Sequence, residues 1–220
     1  MKIKSKLLPA CFALVLLAFA SPSRAETEKR IAFVVGNAAY QAGPLATPAN
    51  DAGVIAQTLQ AAGFDVTGAR DLDGESLRAA FRDFLDKAQA SGPDTVAFVY
   101  LAGYGLQFEG ENYFVPVDAK IVSAQDVGVE ALRVSDYTKR LAGLPLARVS
   151  PFAKSGPPLA GGLALTETEP NMLLAFNATP GTVAPPESGP YGAYARARTE
   201  MIRGRRPAAF GRFRRRASAR

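Results

Sequence analysis

From Arg30 onward, short apolar runs alternate with longer stretches whose apolar residues recur every three to four positions. That order predicts a parallel sheet joined by crossover helices. Arg30-Ile31-Ala32-Phe33-Val34-Val35 reads as a buried strand closed by Gly36-Asn37. Residues 51–62 read as a helix with Val54, Ile55, Leu59 and Ala62 on one face and Gly63 as its stop. Phe64-Asp65-Val66-Thr67 is a short second strand. Residues 73–90 are a second helix with Leu77, Ala80, Phe81, Phe84 and Leu85 inward, ended by Ser91-Gly92-Pro93. Residues 95–101 are apolar enough for the centre of a sheet.

Beyond that strand, Leu106-Gln107-Phe108 and Asn112-Tyr113-Phe114-Val115 flank Glu109-Gly110-Glu111 and predict a β-hairpin. Residues 124–144 predict a further helix of less regular spacing. Residues 145–170 are rich in Pro, Gly and Ala without a sustained period and predict loop. Met172-Leu173-Leu174-Ala175-Phe176-Asn177 is the last strand expected, and no internal repeat is present.

The N-terminus changes the picture of where the protein works. Lys2, Lys4 and Lys6 precede an apolar stretch at 7–20, and Ser23-Arg24-Ala25 places small residues at the two cleavage-determining positions. This predicts a signal peptide over 1–25, cleavage before Glu26, and a periplasmic or extracellular product without a stable membrane span. The only cysteine, Cys11, lies within that signal, so no disulfide is expected in the mature chain.

Charge divides the remainder. Residues 203–220 carry eight arginines and no acid, and residues 1–25 carry four basic residues. Removing both from the 26 basic residues leaves 14 against 20 acidic ones for 26–202, a net charge of −6. The sequence therefore predicts an acidic domain over 26–202 and a disordered Arg-rich tail over 203–220. The tail suits anionic lipid or nucleic acid. No cofactor or metal is expected: Gly36-Asn37 lacks the GxGxxG and Walker-type glycine patterns, carboxylates are dispersed, and the chain has no histidine. Asn177-Ala178-Thr179 matches a glycosylation acceptor.

Seven segments, RIAFVVGNAAY, PLATPANDA, LQAAGFDVT, VAFVYLAGYG, NYFVPVDA, LLAFNATPGTVA and SGPYGAY, occur in the order found in bacterial caspase-like domains of the C14 peptidase and metacaspase kind. The chain resembles that family over about residues 29–194. The resemblance implies a three-layer α/β sandwich of the caspase-hemoglobinase type, with a mostly parallel sheet and a peptide-binding cleft at the C-terminal ends of its strands. It also implies a cysteine-type endopeptidase ancestry, with a histidine after the third strand in an A-G-H-G setting. Here that setting reads Ala102-Gly103-Tyr104-Gly105, so Tyr104 holds the histidine position beside Gly105. A phenol holds its proton about three units more tightly than an imidazole, which makes it a poor general base near neutral pH. The alternative role for Tyr104 is to fill the imidazole space and donate a hydrogen bond.

The nucleophile's segment is about ten residues short by the same resemblance. That predicts a sheet lacking one central strand unless 144–149 replace it. Ser150 lies nearest the cysteine position, either as a residual nucleophile or as an ordinary loop serine. After Tyr194 the family's amphipathic helix gives way here to Arg-rich sequence. Asn50 and Asp51 match a substrate-binding segment in which an acid favours Arg or Lys; Asp51 equally suits capping a helix that starts there. These readings predict an inactive pseudo-peptidase that binds a peptide or protein. Residual Arg/Lys peptidase activity and anionic-surface binding through the tail are the alternatives.

Overall fold

The computed structural model describes residues 28–144, 148–154 as backbone, 163–164, 170–177, 182, 187 and 189–204. The expected signal peptide lies outside them, as do residues 205–220 of the tail and Thr179 of the glycosylation pattern.

Among the described residues, five strands form the main sheet in the order β2-β1-β3-β7-β8, all parallel. They are β1 (Lys29–Gly36), β2 (Asp65–Arg70), β3 (Thr95–Ala102), β7 (Arg148–Lys154) and β8 (Ala175–Phe176). Period-two alternation splits β1 and β3 between two cores. Ile31, Phe33, Val35, Ala97, Val99 and Leu101 point to one face, and Ala32, Val34, Val96, Phe98, Tyr100 and Ala102 to the other. Two helices cover the first face: α2 (Gly74–Ser91), through Leu77, Phe81, Phe84 and Leu85, and α4 (Val134–Ala142), through Leu141. On the second face lie α1 (Pro48–Ala61), through Ala52, Ile55 and Leu59, and α5 (Ala193–Gly204), through Ala195. The result is a three-layer α/β sandwich with a parallel central sheet, as the resemblance implies. Alternate crossovers bury both faces, which is why the strands read as continuous apolar runs.

A second, antiparallel sheet follows β3 and consists of β4 (Gly105–Phe108), β5 (Glu111–Phe114) and β6 (Leu132–Arg133). Glu109 and Gly110 take φ of 50° and 78°, the two positive values that a tight two-residue hairpin needs.

Four expectations are corrected. The central strand is present: β7 pairs with β3 from Val96↔Arg148 to Ala102↔Lys154, within a stretch that composition assigned to loop. The helix expected over 124–144 is broken into a 3₁₀ turn at Ala124–Asp126, α3 (Val127–Glu130) and α4. The break arises because Leu132 and Arg133 instead pair with Phe114 and Tyr113. The helix after Tyr194 also exists: Ala195 and Thr199 are buried one turn apart, and Arg203 and Gly204 are its last residues, not the start of the tail. Finally, α1 starts at Pro48, three residues before Asp51, with proline in its first turn, where the missing N–H has no intrahelical partner to lose.

Candidate functional site

The site lies where β1 and β3 end. Asn37, fully buried just past β1, donates its backbone N–H to Ala102 O at 2.8 Å. Its side chain donates to Val115 O at 3.3 Å and Leu72 O at 3.4 Å and accepts from Leu72 N at 3.0 Å. One amide thereby joins the ends of β1 and β3 to the segments after β2 and β5, which is a structural role for the Gly36-Asn37 pair. Asp71, at φ 53°, reinforces it by accepting from Ala38 N at 2.8 Å and Ala39 N at 2.9 Å.

Tyr104 sits two residues past the end of β3. Its hydroxyl donates to Gly43 O at 3.0 Å, and its ring packs on Tyr40 with centroids 4.6 Å apart. Its backbone N–H donates to the Tyr40 hydroxyl at 3.0 Å, and that hydroxyl donates onward to Val115 O at 2.9 Å. Burial pushes the Tyr40 phenol well above its ordinary value, with the Tyr104 N–H opposing the shift, so Tyr40 stays protonated near neutral pH. A Cβ at Gly103 would stand 2.5 Å from the Tyr40 hydroxyl and 3.0 Å from the Phe114 ring, so this packing requires glycine. Tyr104 is thus a donor already engaged with the 38–45 loop.

Ser150 is not brought to Tyr104. It pairs with Phe98, four residues before Lys154 at the strand's end, a separation of about 13 Å along β7 at 3.3 Å per residue. The residue opposite Ala102, at the edge where Tyr104 lies, is Lys154.

Asn50 and Asp51 are brought together with the segment preceding α5. Asp51 is fully buried, and its Oδ1 accepts from Gly192 N at 2.7 Å. Asn50 donates to Pro190 O at 2.9 Å. Glu187, unremarked in the sequence, accepts from Thr47 Oγ1 at 3.0 Å through one carboxylate oxygen and from Ala193 N at 3.0 Å through the other. The helix-capping role read for Asp51 is not the one found, since α1 begins earlier and its side chain reaches across to another segment. Tyr100 projects from β3 toward the same corner. Its hydroxyl is buried without a hydrogen-bond partner among the described residues. Burial, then Asp51, Tyr194 and Glu187 in that order, push its phenol up. Asp51, Glu187 and the Tyr100 hydroxyl thus gather at one polar corner between the start of α1 and the segment before α5.

The three-layer sheet with its site at the C-terminal strand ends defines a caspase-hemoglobinase-type domain. The family model described as "Caspase domain" (peptidase C14) matches residues 29–209, and the chain belongs to that family. No curated protein matches significantly. Among solved structures, protein GSU0716 from Geobacter sulfurreducens matches at 20% identity and TM-score 0.45, covering 58% of this chain; the match spans 50% of that protein's chain.

Proposed function

We propose that this protein is an exported caspase-family domain without peptidase activity, acting by binding a peptide or protein partner. One observation carries the reading: the histidine position holds Tyr104, whose hydroxyl is committed to Gly43 O, in a chain with no histidine and with its single cysteine at position 11. A nucleophile–base pair of the family's kind cannot be assembled from these residues. The polar corner of Asp51, Glu187 and Tyr100 supports Arg or Lys as the side chain bound.

Purified residues 26–220 are expected to leave Arg- and Lys-containing fluorogenic peptides intact, with or without calcium and reductant. Turnover that disappears in Tyr104→Phe or Ser150→Ala would establish the residual peptidase instead. Replacing Asp51 separates recognition from architecture. Asp51→Asn keeps an acceptor for the Gly192 N–H, so it should fold like the parent yet lose affinity for an Arg-bearing peptide. Unchanged affinity would remove Asp51 from the recognition of the cation. Export is tested by N-terminal sequencing of the secreted product, expected to begin at Glu26.

A further inference from the structure

The domain is acidic as a whole, yet three arginines gather at one seam, on helices that also expose Glu75, Asp83, Asp86 and Asp136. At the seam between α2 and α4, the Phe81 and Tyr137 rings lie 4.3 Å apart between centroids, leaving Tyr137 half-buried. Arg78 and Arg82, one turn apart on α2, flank Phe81, and Arg140 follows Tyr137 by one turn on α4. The charges of all three arginines act on the Tyr137 hydroxyl. Arg78 is held in place by carbonyls: Nη1 donates to Gly74 O and Nη2 to Val129 O, each at 3.0 Å. Carbonyl partners fix a guanidinium without neutralising it. Among the described residues, the ion pairs at 4 Å or less, Arg30–Glu28 and Lys87–Asp65, do not involve these arginines. The acid that also acts on Tyr137 is the exposed Asp136. Val129, 73% exposed, adds an apolar contact beside Arg78.

We propose that Arg78, Arg82, Arg140 and Tyr137 form a docking surface for an acidic peptide segment of a protein partner. Guanidinium forks take carboxylates in two-point hydrogen bonds, and the phenol adds a donor among them. Arginine and tyrosine are the side chains enriched where protein interfaces concentrate their affinity, and Val129 supplies apolar area next to them. The surrounding net charge of −6 selects a short acidic segment over an extended polyanion, whose flanks would meet repulsion. This surface is independent of the corner around Asp51, so either can fail without the other.

The test uses the full chain at low salt and a fluorescein-labelled dodecapeptide of alternating Glu-Glu and Leu-Leu pairs, read by anisotropy. Arg82 and Arg140 are exposed, so the R82E/R140E variant should retain the parent's melting profile. It should bind the peptide about tenfold or more weakly. An R196E/R203E variant, with the same change in net charge on α5, should bind like the parent. Equal weakening in both variants, or full affinity in R82E/R140E, would overturn the proposal. So would a single-stranded oligonucleotide that binds more tightly than the peptide and is lost in R82E/R140E alone.

Discussion

The two tyrosines near the end of β3 are unequal in what their removal leaves behind. Tyr104→Phe deletes one donor to Gly43 O at the edge of the site and should cost about 0.5–1.5 kcal/mol. Tyr40→Phe strips partners from both the Tyr104 N–H and Val115 O in a more buried position and should cost about 1–3 kcal/mol. Urea denaturation is therefore expected to rank Tyr40→Phe as the less stable variant; the reverse order would show that Tyr40 does not organise the site. The sequence marked Tyr104, because its neighbours Gly103 and Gly105 frame a recognisable position. It gave no role to Tyr40, although both occur in quoted segments. A tyrosine's partner sixty residues away leaves no mark on local spacing.

Elements whose faces are decided by burial alone were legible: Ile55 and Leu59 on α1, and Leu77, Phe81, Phe84 and Leu85 on α2, face the core as their spacing predicts. Elements decided by pairing were not. β7 contains Pro151, whose missing N–H argues against a central strand. Among the described residues β8 pairs only with Phe152 and Ala153, so Pro151 is paired on its β3 side alone. The ends of α2 give a pH prediction. Asp73 caps the helix by accepting from Ser76 N at 2.7 Å, and this bond holds its carboxyl below the usual range. A depressed folded value means the stabilisation is present above the unfolded value of about 3.9 and is lost as pH falls through the folded one. Asp73→Ala should therefore lower the thermal midpoint at pH 7, with the gap to the parent closing below about pH 4. A gap that persists at pH 2 would show that the cap acts without its charge.

At the scale of the whole chain, charge separates what the domain and its C-terminal extension can contact. Residues 26–202 carry net −6, whereas eight arginines fall within 203–220, one of them, Arg203, in the last turn of α5 and the other seven beyond the described helix. If the tail meets an anionic surface and the α2–α4 seam an acidic peptide, truncation of the tail distinguishes the two contacts. A lipid surface bound through six to eight arginines releases many counterions, so affinity for vesicles containing phosphatidylserine should fall steeply with ionic strength. Truncation after Gly204 keeps α5 whole and removes seven of the eight arginines, and it should abolish vesicle binding. The same truncation should spare most of the affinity for the acidic dodecapeptide, whose contacts lie on the α2–α4 face. Co-sedimentation of the truncated chain with vesicles at 300 mM salt, undiminished from the parent, would place lipid contact on the folded domain and remove the tail from the binding role.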